Sequence, residues 1–296
     1  MGGSVRLVAT GLATEVLYLD GVRLEYRLHR AGPHTVLVFH GGHMRAGIAL
    51  GESVYHAANQ TVFVPSRPGY GRSELASGPG PRQFADTIAG ACHRLGITGN
   101  VTVVGVSAGG PFALAMAARH PELVRSVILV SAVGPLPWPD PLTRTTARFA
   151  FHPRVEAATW AATRNLLRLD PPAGLRAMLA SLSTLPSGQV LAQLPRDHKV
   201  MLVRLFAALR SGQGFVNDLD VLTHPTNDAD EVTQPALVVA TRTDRSVPVE
   251  HAERLHGRLA GSQLVESTAP SHLLWFSPDR ARIEEQIRAH LAETRQ

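Results

Sequence analysis

Short runs of consecutive apolar residues are spaced along the first 130 residues of the chain. The clearest are "TVLVF" at 35–39, "TVFV" at 61–64, "VTVVGV" at 101–106 and "VILV" at 127–130. Helix-like stretches lie between them. Strands that lack polar alternation and take turns with helices are typical of a parallel sheet covered on both faces. We therefore predict an α/β fold with a mostly parallel central sheet and helices on both faces.

The pattern changes at residue 134 and changes back near residue 233. Residues 134–232 begin with the proline-rich "GPLPWPDP" and continue with helix-like sequence that carries no strand pattern. After residue 233 an apolar run, a helix-like stretch, a second run and a closing helix follow in turn. We predict a core formed by residues 1–133 and 233–296, interrupted by a helical cap at 134–232.

Composition and charge exclude several classes of protein. The net charge of +5 could suggest a nucleic-acid partner, but 28 of the 29 cationic residues are arginines scattered along the chain. No apolar run approaches the 18 residues that a membrane span needs, and the first residues lack the apolar region of a secretory signal. We expect a soluble, cytoplasmic protein that binds neither nucleic acid nor membrane; its oligomeric state is not predictable from the sequence.

One short motif carries candidate chemistry. Gly105-Val106-Ser107-Ala108-Gly109 fits the pattern G-x-S-x-G, which a chain of this composition contains by chance about one time in ten. Ser107 could simply cap the helix that follows. The other interpretation is a nucleophile on a sharp strand-to-helix turn, where glycines let the two backbones approach closely. There the amide of Ala108 would point at a developing oxyanion.

The region around this motif resembles the α/β-hydrolase superfamily. The similarity is carried by "VVGVSAGGPFALAMAARHPELVRSVILVSAVGP" (103–135) and extends to segments on both sides of the insert, in the family's order. Those segments are "VFHGG" (38–42), "SRPGYGRS" (66–73), "QPALVVATRTDRSVP" (234–248) and "SHLLWFSP" (271–278). One departure is Ser66, because this loop commonly begins with Asp in relatives.

The resemblance implies a catalytic triad of Ser107, Asp244 and His272, with the amides of Gly42 and Ala108 as an oxyanion hole. This chain order is the one that the fold uses. A serine hydroxyl needs a base to take its proton, and a histidine with an ordinary pKa near 6.5 can do so. The acid is the open position. Asp218 and Asp220 are alternatives to Asp244, although a capping or surface role accounts for Asp218.

The resemblance also implies a function without cofactor or metal. We predict a serine hydrolase, esterase-like, that cleaves a small-molecule ester, thioester or related acyl or C–C bond through an acyl-enzyme. His43, Phe149 and Trp160 are candidate substrate contacts, the last two in an acyl pocket under the cap. Two alternatives stay open. One is a non-hydrolytic lyase, acyltransferase or cyclase of a biosynthetic pathway that uses the same site, and the other is a ligand-binding protein of low turnover.

Overall fold

The computed structural model describes residues 7–294, which form ten strands and twelve α-helices. The strands are β1 (Val8–Thr10), β2 (Glu15–Leu19), β3 (Val22–His29), β4 (Thr35–Phe39), β5 (Ile48–Leu50), β6 (Thr61–Pro65), β7 (Val101–Val106), β8 (Val124–Val130), β9 (Ala236–Ala240) and β10 (Gln263–Glu266). Eight of them form one sheet in the order β10-β9-β8-β7-β4-β6-β3-β2. β3 runs antiparallel to both of its neighbours, β2 and β6, and every other pair of neighbouring strands in this sheet is parallel. The predicted mostly parallel sheet is confirmed.

The helices cover both faces of the sheet. They are α1 (Ser53–Ala57), α2 (Pro81–Arg94), α3 (Gly110–Arg119), α4 (Pro141–Ala150), α5 (Glu156–Leu169), α6 (Pro171–Leu179), α7 (Ser187–Gln193), α8 (Arg196–Ala208), α9 (Gly214–Val221), α10 (Asp228–Glu231), α11 (Glu250–Arg258) and α12 (Arg280–Glu293). None of these helices, all within residues 7–294, has the length and apolar character needed to cross a bilayer.

Successive residues of the central strands point to opposite faces, and both faces are buried. Leu37 of β4 and Val103 of β7 belong to one apolar cluster, which includes side chains of α2, α3 and α11. Their neighbours Val38 and Val104 belong to a second cluster, which includes side chains of α1 and α12. A strand with an apolar cover on each side needs no polar alternation. This explains the uninterrupted apolar runs of the sequence.

Helices α4 to α10 lie between β8 and β9, and we call residues 134–232 the helical insert. The sheet continues directly across it, because β9 pairs in parallel with β8, with Leu237 opposite Ile128. Trp160 and Phe206 of the insert are buried in the same apolar cluster as Val104 of β7. The insert therefore shares a core with the sheet at the edge where β7, β8 and β9 end.

Candidate active site

Ser107 lies in a strained turn at the carboxyl end of β7. Its φ is 52°, a left-handed conformation that costs free energy in any residue with a side chain. A short 3-10 turn covers residues 107–109, and α3 begins at Gly110 without a side-chain cap. A Cβ at Gly109 would lie 2.1 Å from the carbonyl oxygen of Phe39, so the turn requires glycine there. The structure does not support the interpretation of Ser107 as a helix cap.

Asp244 and His272 are hydrogen-bonded to each other at the ends of neighbouring strands. Asp244 follows β9, His272 follows β10, and Nδ1 of His272 lies 2.6 Å from Oδ2 of Asp244. The second carboxylate oxygen, Oδ1, accepts a hydrogen bond of 2.8 Å from the Val247 amide. The Asp244 carboxylate is buried, and it uses the Nδ1 side of the ring. Nε2 of His272 is therefore the ring atom left for another partner.

A three-residue segment after β8 connects this pair to Ser107. The amide of Val133 donates to the carbonyl oxygen of Ser107 at 2.9 Å, and Oγ of Ser131 donates to the carbonyl oxygen of His272 at 3.2 Å. Within residues 7–294 the hydroxyl of Ser107 itself makes no hydrogen bond. Bonds between nucleophile and base are often long in the unliganded state and shorten when substrate binds. The structure thus brings Ser107, Asp244 and His272 to one edge of the sheet.

Residues 182–184 of the helical insert hold the two loops that carry Asp244 and His272. The carbonyl oxygen of Leu182 accepts from the His272 amide at 2.8 Å, and the Thr184 amide donates to the carbonyl oxygen of Thr243 at 2.9 Å. Between them, Oγ of Ser183 donates to the carbonyl oxygen of Pro270 at 2.6 Å. The sequence gives no signal for this clamp, because it consists mainly of backbone contacts between distant segments.

The turn after β4 runs past the side chain of Ser107. A Cβ on Gly41 would lie 2.9 Å from Cβ and 3.4 Å from Oγ of Ser107, so the backbone is as close as a glycine allows. The Gly42 amide has no hydrogen-bond acceptor among residues 7–294. Ala108 is the second residue of the 3-10 turn, where an amide has no acceptor within the turn. These two amides are available to an oxygen atom beside Ser107.

His43 follows Gly42 and packs among aromatic rings. Its ring centroid lies 3.9 Å from that of Phe215, 4.5 Å from that of Phe151 and 5.1 Å from that of Trp160. Although some of its surface stays open, burial among these rings, with the nearby charge of Arg67 as a second cause, lowers the pKa of His43 to about 3. The ring is therefore neutral at pH 7.

A serine of the helical insert fixes the orientation of that ring. Oγ of Ser211 accepts from Nε1 of Trp160 at 2.9 Å and lies 2.8 Å from Nδ1 of His43. The hydroxyl has one proton, and we assign it to the neutral Nδ1, which leaves the histidine proton on Nε2. The Ser211 amide is held in turn by Oε1 of Glu156 at 2.7 Å. Sequence analysis did not find Ser211, because its partners are 51 and 168 residues away.

The two remaining substrate-contact candidates differ from each other. Trp160 is buried within the aromatic cluster and contacts His43. Phe149 is 77% exposed on α4, so the prediction that it lines an acyl pocket is wrong for this structure. Phe151, two residues further on, takes that place in the cluster. The difference arises because α4 ends at Ala150, and the chain beyond it turns inward.

The alternative acids are engaged elsewhere. Asp218 is 1% exposed and accepts from both terminal nitrogens of Arg67, at 2.5 and 2.8 Å, and from the Tyr70 hydroxyl at 2.6 Å. The expected capping or surface role of Asp218 is thus wrong. Nε of Arg67 also donates to the carbonyl oxygen of His40 at 2.8 Å, beside the Gly41–Gly42 turn. Asp220 is exposed and paired with Arg148.

No three or more His, Cys, Asp or Glu side chains of residues 7–294 are grouped so that they could hold a metal ion. The polar groups around Ser107 are instead one carboxylate, two histidines, hydroxyls and free amides. That set can activate a hydroxyl, orient the base and stabilise negative charge on an oxygen.

Comparison with known proteins gives the family. The family model described as alpha/beta hydrolase fold matches residues 34–278, and the chain therefore belongs to the α/β-hydrolase family. The uncharacterized hydrolase YcgS of Bacillus subtilis (strain 168) is 28% identical over 277 residues, which cover 90% of this chain and 94% of that protein. The family match and this relative support the assignment of the protein as a hydrolase.

Solved structures share the fold. An α/β hydrolase fold protein from Nakamurella multipartita superposes with a TM-score of 0.76 at 24% identity, covering 94% of this chain and 99% of that one. An esterase from Exiguobacterium antarcticum has a TM-score of 0.65 at 19% identity, covering 95% and 99%. At such identities the likeness concerns the fold alone.

Proposed function

We propose that the protein is a serine hydrolase that cleaves a small-molecule ester, thioester or related acyl or C–C bond through an acyl-enzyme. The observation that carries this proposal is the 2.6 Å contact between His272 and the buried Asp244, at the sheet edge where Ser107 adopts its left-handed turn. A histidine oriented by a carboxylate, together with a serine on a strained strand-to-helix turn, is the arrangement that activates a hydroxyl.

The proposed first step forms the acyl-enzyme. Oγ of Ser107 attacks the carbonyl carbon, while Nε2 of His272 takes the hydroxyl proton. Asp244 holds the proton on Nδ1 and stabilises the imidazolium that forms. The carbonyl oxygen becomes an oxyanion, and the amides of Gly42 and Ala108 donate to it. His272 then gives its proton to the leaving group, which departs and leaves Ser107 acylated.

The second step releases the acyl group. A water molecule takes the place of the leaving group, and His272 removes one of its protons as the water attacks the acyl carbon. The same two amides stabilise the second oxyanion. When this intermediate collapses, the proton on His272 returns to Oγ of Ser107 and the carboxylic acid leaves.

The helical insert is proposed as a cap that supplies the acyl-binding wall. The aromatic cluster of Phe151, Trp160 and Phe215 begins at His43, which directly follows Gly42. A substrate whose carbonyl oxygen sits on the Gly42 amide would therefore direct its acyl side toward apolar rings. His43 is proposed as a substrate contact there, with Nε2 as its donor.

A covalent label tests the proposal. A fluorophosphonate should modify the folded protein once, at Ser107, as located by peptide mass spectrometry, and Ser107→Ala should take up no label. Ser126→Ala is the matched control, since Ser126 is a buried serine of β8 bonded to Thr102 at 2.9 Å. Labelling of the control should equal that of the wild type. Labelling at another residue, or none in the folded protein, would refute the serine mechanism.

An isotope experiment separates hydrolysis from the alternative uses of the site. When turnover of a p-nitrophenyl ester runs in water enriched in oxygen-18, the released acid should carry one solvent oxygen. A lyase, acyltransferase or cyclase would turn over its own substrate without that incorporation. A ligand-binding protein would show no multiple turnover.

A further inference from the structure

The helical insert also carries a groove that has no role in the proposed serine mechanism. It encloses about 670 Å³ between α6, α7 and α8, within the 300–1,000 Å³ range of small-molecule sites. Its apolar lining residues are Pro171, Pro172, Leu175, Leu191, Ala192, Val200 and Val203. A groove of this size with a mostly apolar lining is a candidate ligand-binding site.

Four cations line the same groove, and no acid does. They are Arg176, Arg196, Lys199 and Arg204, with the chain's one lysine among them. None of the four has an ion-pair partner among residues 7–294, whereas many arginines elsewhere in that part of the chain do. Asp197 lines a neighbouring hollow together with Arg196 and Arg204.

The spacing on α8 places charge and apolar surface on one face. Arg196, Lys199, Val200, Val203 and Arg204 all line the groove, and they follow the three- and four-residue spacing of one helix face. Val200 is 45% exposed. The buried residues of α8, which are Leu202, Leu205 and Phe206, hold the opposite face in the core. On the groove face Val203 still packs against the core, whereas Val200 is exposed to the groove.

The charge distribution of the chain is concentrated in the same region. Residues 141–210 contain ten lysines and arginines and three acids, a net charge of +7, whereas the whole chain has +5. The remainder of the chain is therefore net negative by two. The excess positive charge that would attract an anion therefore lies in residues 141–210, since residues 211–232 of the insert carry five acids and no lysine or arginine.

We propose that this groove binds one molecule of an anionic amphiphile, an unbranched acyl chain with a carboxylate head. The chain would lie on the apolar lining, where its burial removes both surfaces from water. The carboxylate would be bound by the arginines and Lys199, since guanidinium groups pair well with carboxylates. Charge complementarity selects this occupant over a neutral or cationic amphiphile.

The groove is separate from the site at Ser107, although one helix connects them. From Arg196 to the end of α8 at Ala208 the helix axis spans about 18 Å at 1.5 Å per residue. At that far end the carbonyl oxygen of Ala208 accepts from Arg45 at 2.8 Å, and the Arg210 amide donates to the carbonyl oxygen of His43 at 3.0 Å. Binding in the groove therefore does not require the proposed serine mechanism.

Isothermal titration of the full chain with sodium dodecanoate, below its micelle concentration, tests the proposal. We expect one molecule bound per chain. Dodecyltrimethylammonium, with the same chain and a cationic head, should bind at least about tenfold more weakly, and acetate should not bind measurably. No binding of dodecanoate, or equal binding of the cationic amphiphile, would overturn the proposal.

Variants locate the ligand. Lys199→Glu/Arg204→Glu and Val200→Asp should each weaken dodecanoate binding at least about tenfold. The matched control Arg154→Glu/Arg168→Glu makes the same charge change at two exposed insert arginines outside the groove and should change affinity less than about twofold. All of these side chains are solvent-accessible, and thermal unfolding checks that each variant is folded. Undiminished binding in both groove variants would place the ligand elsewhere, for instance at Ser107.

A vesicle arm distinguishes a membrane surface from a single ligand. Sedimentation with phosphatidylglycerol vesicles should leave the wild type in the supernatant. Co-sedimentation that Lys199→Glu/Arg204→Glu abolishes, together with no binding of monomeric dodecanoate, would identify a lipid surface as the occupant and overturn the proposal.

Discussion

Asp244 and Asp218 are both almost fully buried, and their partners give them different capabilities. Asp244 is bonded to His272, whose imidazole ring can both accept and donate a proton. Asp218 is bonded to Arg67, whose guanidinium keeps its proton in proteins. The first pair can take part in proton transfer. The second pair can only neutralise a buried charge and fix the local structure. Nε of Arg67 donates to the carbonyl oxygen of His40 and so positions the backbone there. Burial alone does not identify a catalytic carboxylate.

The largest difference between the two aspartates should appear in turnover. Asp244→Asn should leave the fold intact but lower kcat by about 10⁴-fold, because an amide favours the wrong tautomer of His272. Steady-state kinetics with a p-nitrophenyl ester measure this. Asp220→Asn, at the exposed partner of Arg148, is the control and should keep wild-type kinetics. Near-normal kcat in Asp244→Asn would mean that the acid is elsewhere.

The second difference should appear in stability. Asp218→Asn leaves the Arg67 charge buried without a counter-charge, and we expect the free energy of unfolding to fall by about 3–5 kcal/mol. Urea unfolding measures it. The double variant Arg67→Met/Asp218→Leu removes both charges and should recover most of that loss. If the double variant is as unstable as Asp218→Asn, an unpaired charge is not the cause.

The third prediction concerns His43, close to the Arg67 charge, and how the free energy of unfolding depends on pH. The pKa of His43 is about 3 in the folded protein and near 6.5 in the unfolded chain. Between about pH 6.5 and pH 3, the His43 ring therefore binds a proton in the unfolded chain but not in the folded protein. The stability from the neutral ring is complete above about pH 6.5 and is lost as the pH falls toward about 3.

His43→Phe removes that proton while it keeps a ring in the cluster. Urea unfolding between pH 7 and pH 4 should show a smaller loss of stability in the variant than in the wild type. Burial also lowers the pKa values of His56, His251 and His290, but both proteins contain them, so they cancel in the difference. Identical pH profiles would show that His43 takes up its proton equally in both states.

The smallest effect should come from the bond between Trp160 and Ser211. Trp160→Phe keeps apolar contact but removes the Nε1 donor, at an expected cost of about 1 kcal/mol in the free energy of unfolding. If Trp160 lines the acyl pocket, the ratio of kcat/KM between butyrate and octanoate esters should also change. Phe149→Leu is the control, because its ring is exposed, and it should change neither value.

The sequence predicted those parts of the molecule that depend on neighbouring residues. The apolar runs predicted the strands, and the five-residue motif around Ser107, with a glycine at each end, predicted the turn. The resemblance to the α/β-hydrolase superfamily assigned Asp244 and His272, each of which lies a few residues after a recognisable strand. Their chemistry is thus encoded next to the elements that position them. The triad assignment stays a prediction until the serine is labelled.

The sequence could not predict the contacts made between distant segments. Asp218 and Arg67 are 151 residues apart, and nothing near Asp218 indicates a buried guanidinium. Ser66 is a similar case, because its hydroxyl donates to Oε2 of Glu25 at 2.7 Å, across 41 residues of sequence. Phe149 and Phe151 differ by two positions, and only helix packing decides which one faces inward.

The contacts of residues 182–184 have a consequence for engineering the protein. An insert between two strands of a sheet can be exchanged by grafting the insert of one homologue onto the core of another. Here Leu182 and Ser183 make hydrogen bonds to His272 and to Pro270 in the same loop. A graft that omits them would lose the hydrogen bonds that hold the loop of His272. A chimaera should therefore keep residues 182–184 with the scaffold and exchange only the helices on either side.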